Sequence, residues 1–207
     1  RRPRQAGRSD AAAIQLRNAL QQNPDNWDAR RLIGQIYLAS GDPGSAEVHL
    51  RRAYDARHTV DSELLLARAL IGLRRFQDAL DLMTGDSGEP AQQQERQLLR
   101  ADAYLGLNRP DDADRVLHAV LAQDATSLPA RYGLARSAVA RGDLQAAGQI
   151  LTSVLADDPS LLNAWLLQAE VDLRTNRVED ALDALQHAEA TGHPDGRIWR
   201  MRAQAQL

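Results

Sequence analysis

The sequence predicts an all-α protein, a stack of about 12 antiparallel helices. Three observations predict it. Ala (35) and Leu (31) dominate the 207 residues, while Phe appears once, Trp three times and Tyr four times. The composition therefore favours helix and lacks the aromatic and β-branched residues that fill strands. A register close to 34 residues runs along the chain. Its turn residues are Gly41, Arg74, Asn108, Gly142 and Asn176, spaced 33, 34, 34 and 34 apart. Within each period the apolar residues recur at i, i+4 and i+7, the spacing of a helix face.

The pattern opens with a helix over 10–21 that carries Ala12 and stops before Pro24. A helix with Gly34 and Tyr37 follows and ends at the Gly41 turn. Asp42-Pro43 starts the next helix, whose inward face is Ala46, Leu50, Ala53 and Tyr54. Pro and Asp in a first turn suit the positive end of a helix. The following hairpin carries Ala67, turns at Arg74 and resumes with Ala79. Its second helix runs into Thr84–Pro90, the richest loop of the chain, so this unit is expected to be the most irregular. Ala101, the Asn108 turn and Arg109-Pro110-Asp111-Asp112 lead to the face Ala113, Leu117, Val120 and Leu121. Ala135 and Gly142 lead to Ala147, Leu151, Val154 and Leu155, which end before Pro159. Ala169 and Asn176 lead to Ala181, Leu185 and Ala188, and a last helix over 195–207 carries Ala203.

Small residues recur at two places per unit for a physical reason. Two helices of a hairpin approach closely only where the side chains between them are small. One series is Gly34, Ala67, Ala101, Ala135 and Ala169; the other is Ala46, Ala79, Ala113, Ala147 and Ala181. The expected organisation is a basic linker over 1–9, then one array over 10–207. The array consists of a half repeat (10–26), five repeats (27–193) and a half repeat (194–207). A solenoid ordinarily ends in a polar cap. The last helix instead carries Ile198, Trp199, Met201 and Leu207, and the chain has no initiator Met, so it is expected to be a fragment of a longer array.

All 25 basic residues are Arg, and both Lys and Cys are absent. That excludes Schiff-base and thiol chemistry, a Walker-A lysine, disulfides and thiolate metal sites. The net charge of −3 gives no field for nucleic acid, and no apolar run approaches a membrane span. Arg1, Arg2, Arg4 and Arg8 form a short basic cluster without aromatics. His187, His193 and Asp195 lack metal-ligand spacing, and Asp111-Asp112 and Asp157-Asp158 read as helix-end charges. No catalytic motif, cofactor site or metal site is expected, and the chain reads as a non-enzyme.

A 34-residue helix–turn–helix with Ile33-Gly34-x2-Tyr37, then Ala46, Leu50 and Ala53, resembles the tetratricopeptide repeat. Trp165 falls at the leading Trp of that motif, whereas Arg30, Glu63, Gln97 and Arg131 depart from it and Asp172 replaces its Tyr. The likeness covers residues 10–207 and implies a right-handed superhelical α-solenoid. A narrower likeness runs from Ala13 to Pro24, then Ala29-Arg30-Arg31-Leu32-Ile33-Gly34 through Gly41-Asp42. It is similar to the tetratricopeptide lipoproteins (PrsT-like) of exosortase/PEP-CTERM exopolysaccharide systems, which implies a bacterial envelope setting.

The resemblance also implies where partners bind. In the family, first helices line a concave groove, and places two, five, nine and twelve of each unit point into it. Units are counted here from Trp27, Val60, Gln94, Leu128, Leu162 and Gly196. Place five is Arg31, Leu64, Leu98, Tyr132, Leu166 and Arg200. Place nine is Gln35, Arg68, Asp102, Arg136, Glu170 and Gln204, alternating in sign across its four charged members. That alternation reads either as a ladder of ion pairs between neighbouring repeats or as a template for a charged segment. The place-five Leu residues read as packing, Tyr132 as a contact residue, and Arg31 and Arg200 as clamps for acidic groups. Without Lys, the carboxylate clamp of the chaperone-binding subset is not reproduced.

The expected function is a non-catalytic scaffold that holds a protein or peptide segment in the groove, without nucleic acid or a membrane span. Its expected setting is periplasmic or cell-envelope, in exopolysaccharide assembly or secretion. The alternatives are a cytoplasmic adaptor or regulator, or a module of a larger enzyme or outer-membrane secretion protein.

Overall fold

The computed structural model describes residues 14–205, so the basic segment 1–9, the start of the first helix and Leu207 lie outside the described residues. The chain divides into two compact units, one up to Leu107 and one from Asn108. The first holds α1 (14–22), α2 (Trp27–Ala39), α3 (Pro43–Ala56), α4 (Val60–Gly72), α5 (Phe76–Leu82) and α6 (Pro90–Gly106). The second holds α7 (Pro110–Gln123), α8 (Leu128–Arg141), α9 (Leu144–Asp157), α10 (Leu162–Arg174), α11 (Val178–Ala190) and α12 (Gly196–Ala205). The described residues thus form an all-α chain of 12 helices packed in sequential pairs. First helices also touch one another: α2 meets α4 and α4 meets α6, while α8 meets α10 and α10 meets α12.

Each hairpin closes on the aligned turn residue. Gly41, Arg74, Asn108, Gly142 and Asn176 all have left-handed backbone, with φ of 77°, 60°, 56°, 81° and 59°. After α2, the Asp42 N–H donates to the Tyr37 carbonyl at 2.9 Å and Gly41 N–H to Leu38 at 3.1 Å, which satisfies carbonyls that the helix end would orphan. Arg75 to Leu70 and Arg177 to Asp172 repeat the longer bond at 2.9 and 2.8 Å. Starts are fixed by side chains: Asn26, Asp42 and Asp143 each accept the N–H three residues on, at 3.0, 2.9 and 3.0 Å.

Arg74 is the one turn residue that is neither Gly nor Asn, and its left-handed backbone costs about 1 kcal/mol. Arg74→Gly is therefore expected to raise stability slightly, by up to about 0.5 kcal/mol, after the extra unfolded-state entropy of Gly is subtracted. Urea denaturation checks this, and a loss of stability would refute it.

Both small-residue series are buried. Ala46, Ala79, Ala113, Ala147 and Ala181 have no exposed surface, nor do Ala67, Ala135 and Ala169, and Ala101 is 2% exposed. Ala46, Ala67 and Ala79 pack in one cluster with Leu50, Ala135 and Ala147 with Leu151, and Ala169 with Leu185. At Gly34 the approach is closer still, because a Cβ there would overlap the Leu50 side chain.

The irregular unit lies where the loop places it. α5 has seven residues, and Met83–Glu89 is not helical. Gly88, at φ 112°, turns the chain into α6. Arg96 of α6 ties this segment down. Its side chain is 1% exposed, with Nε donating to Glu63 Oε1 at 2.8 Å and Nη1 to the Ser87 carbonyl at 2.7 Å.

Candidate functional site

In the unit from Asn108 the first-helix residues converge on Tyr132. α8 presents it one turn in, half-buried, and its hydroxyl donates to the Asn163 carbonyl at 3.4 Å. Leu128 and Pro129 of α8, with Leu161 and Ala164 around the start of α10, line an open apolar depression beside the ring. The Arg136 guanidinium stands 5.9 Å from the ring centroid, a cation–π distance. The depression is apolar at its base and carries a hydroxyl at its rim, the arrangement that anchors an apolar side chain of a partner.

A basic edge continues from it. Asn163 Oδ1 accepts Arg197 Nη2 at 2.7 Å, and Arg197 also holds Asp195 at 2.7 Å. The side-chain bond from Arg197, then its backbone N–H, pulls the Asp195 carboxyl down to about 2. This pair caps α12 and orients the Arg197 fork. Beyond it, Glu170, Arg174, Arg197, Arg200 and Met201 border a cleft between α10 and α12. Glu170 pairs with Arg174 at 3.6 Å. Arg200 is exposed and makes no hydrogen bond or ion pair among the described residues, so it remains available to an anionic group.

In the unit up to Leu107 the groups are more committed. Arg31 pairs with Asp28 at 3.5 Å. Gln35 and Arg68 border a depression between α2 and α4, and Arg68 pairs with Glu95 of α6 at 2.9 Å. Asp102 and Leu98 are half-buried on α6.

Two of the place-five Leu residues are packed, as the sequence reading expected. Leu64 and Leu166, placed on the groove by register, are 3% and 4% exposed. Each packs in the apolar core of its own unit. Arg68 and Glu170 pair with residues outside place nine. Arg68 reaches place two of the next unit (Glu95), and Glu170 reaches Arg174 in its own helix.

Place two carries more than register reading assigned to it. Besides Glu95, Asp61 accepts Gln92 Nε2 at 2.7 Å, Pro129 lines the Tyr132 depression, and Asn163 meets Arg197, also at place two. The shared spacing of 34 between Asn163 and Arg197 was the signal available in sequence. Trp165 donates Nε1–H to the Pro159 carbonyl at 2.8 Å and stacks on His187 at 4.4 Å, which ties that histidine to packing. Among the described residues no three His, Cys, Asp or Glu side chains are grouped to hold a metal ion, and no helix is long and apolar enough to cross a membrane.

A family model for the tetratricopeptide repeat matches residues 4–63, 104–159 and 138–205. The chain belongs to the tetratricopeptide repeat family. Among curated proteins it is similar to cellulose synthase 1 operon protein C of Komagataeibacter xylinus, 25% identical over 162 residues, 72% of this chain. The chain spans 12% of the length of that relative. Among solved structures it is similar to PilW, described as a widely conserved type IV pilus biogenesis factor. That likeness has 17% identity and a TM-score of 0.75, covering 95% of this chain and 91% of that one. It is also similar to a chain of the APC/C hetero-tetramer Cut9–Hcn1, with 13% identity and a TM-score of 0.77, covering 97% and 40%. These structural likenesses carry the tetratricopeptide fold alone.

Proposed function

We propose that the chain is a non-catalytic binding scaffold whose first-helix face captures a partner protein segment. The observation that carries this is the Tyr132 depression beside Arg197 and the uncommitted Arg200. An apolar anchor next to a basic edge selects a segment with an apolar side chain flanked by Asp or Glu. Recognition is an equilibrium, and no bond is made or broken. The setting we propose is bacterial envelope assembly, in export of a polysaccharide or a surface fibre. The name of the Komagataeibacter relative, the description of PilW as a pilus biogenesis factor and the PrsT-like stretch in the first fifty residues support it. We place the array within a longer run of repeats, which the 12% span of that relative favours.

Peptides selected from a random display library against the chain are expected to enrich acidic residues beside Leu or Phe. Tyr132→Ala and Arg200→Glu are each expected to weaken such peptides by about tenfold, and Arg136→Glu by less. Selected peptides indifferent to all three substitutions would remove this face from the binding site. Cell fractionation of the source bacterium checks the setting: recovery in the cytosol alone contradicts an envelope role.

A further inference from the structure

The second unit carries another pocket, lined largely by polar residues, that the partner-segment reading does not use. It lies between α9, α10 and α11, with a cavity volume of about 460 Å³, within the usual range for small-ligand sites of about 300–1,000 Å³. Its origin is legible in the register. Places seven and eleven are Ile33 and Tyr37 in the first unit and Leu66 and Leu70 in the second. Ile33, Leu66 and Leu70 are core side chains at most 1% exposed. In the α10 unit the same places are Gln168 and Asp172, and Gly148 of α9 faces them with no side chain. Polar residues at core places cost stability unless every polar atom is partnered.

The partnering is incomplete in one informative way. Asp172 is 2% exposed, and both its oxygens are taken: Oδ1 by Arg177 Nε at 3.0 Å, Oδ2 by Gln168 Nε2 at 3.0 Å. Arg177 also lies 3.6 Å from Asp180. The remaining Gln168 atom, Oε1, is buried without a partner. Gln145 and Gln149 are exposed and hold no hydrogen bond among the described residues. The Thr152 hydroxyl donates to the Gly148 carbonyl at 2.9 Å and Thr175 to Val171 at 2.8 Å, so both lining hydroxyls keep acceptor capacity.

This accounting selects a ligand class. A cation would sit beside Arg177, and an anion would compete with two carboxylates already on that guanidinium, so neither sign gains. The free groups are acceptors on Gln168 and the two Thr, with two side-chain amides at the rim that both donate and accept, which suits a neutral ligand rich in hydroxyls. Leu144 and Gly148 supply an apolar patch for its C–H face. We infer that this pocket binds a neutral sugar residue of an oligosaccharide.

The test is a titration of the whole ¹⁵N-labelled chain with cellotetraose and, separately, maltotetraose, read by NMR. Either sugar is expected to shift the Gln168 side-chain amide and the amides around residues 144–180, with a dissociation constant on the order of 1 mM. Gly148→Leu is expected to fill the cavity and to fold, because a Cβ there meets nothing nearer than Val171 Cγ1 at 3.9 Å and Leu favours helix over Gly. It is expected to weaken binding at least about tenfold, as is Gln168→Leu, which restores the residue type found at Leu66. No shift with either sugar overturns the inference. So do shifts that survive Gly148→Leu, or a stronger response to methylguanidinium or acetate than to the sugars. None of these outcomes bears on the Tyr132 face, which lies on other residues.

Discussion

Arg96→Met is expected to destabilise the unit up to Leu107 by about 3–5 kcal/mol. Arg96 is 1% exposed and, among the described residues, is the only cation within ion-pair distance of Glu63, whose side chain is 13% exposed. Removing the guanidinium leaves a carboxylate in a poorly solvated position and frees the Ser87 carbonyl, which Nη1 holds at 2.7 Å. The burial of Tyr54 and then the nearby Glu63 and Asp55 charges push the Tyr54 phenol up. The double substitution Arg96→Met with Glu63→Leu is expected to recover most of the loss, because an apolar pair needs no compensation. Hydrogen exchange is the right measurement. It should show lost protection in 60–106 for the single variant while 144–190 stays protected, since repeat arrays lose stability locally. A loss below about 1 kcal/mol would mean that the pair is solvated and the loop holds itself.

Nothing in the sequence marks Arg96 as a core residue. An arginine in a helix is read as exposed unless its partners are known, and its partners stand 33 and 9 residues earlier. The short α5 creates the need for it. Where a full second helix would cover α4 and α6, seven helical residues and a loop stand instead, and Arg96 bridges them. Periodicity describes what each unit repeats and is silent on how one unit repairs its own departure. The same limit explains the site. Tyr132 stood out because an aromatic at a groove place is chemically conspicuous. Leu64 and Leu166 share its register place yet are buried, each in the apolar core of its own unit. The pairing of Asn163 with Arg197 depends on two adjacent units at once, which a column of equivalent residues does not convey. Asp172 was visible as a departure from Tyr, but its partner Arg177 and the orphaned Gln168 oxygen appear only with the side chains in place.

What repeats without departure is the alanine register, and it supplies the second large effect. Ala147→Leu is expected to cost about 3 kcal/mol, the upper end for overpacking a dense core. Ala147 has no exposed surface and packs in one cluster with Ala135, Leu151 and Val154. Three added carbons at that crossing must push α8 from α9 or force Leu151 off its rotamer. Ala156→Leu in the same helix is the matched control, since Ala156 is exposed and the change should stay within about 0.5 kcal/mol. Helix propensity is nearly equal for the two sites, so any difference between the variants measures the crossing itself. Equal costs in urea denaturation would show that the small residues are helix filler. An excess confined to Ala147 would establish that the period is set by contact. The alternative, that alanine abundance reflects base composition alone, predicts no such contrast. It also leaves unexplained why the zero-exposure alanines 46, 79, 113, 147 and 181 keep step with five left-handed turn residues.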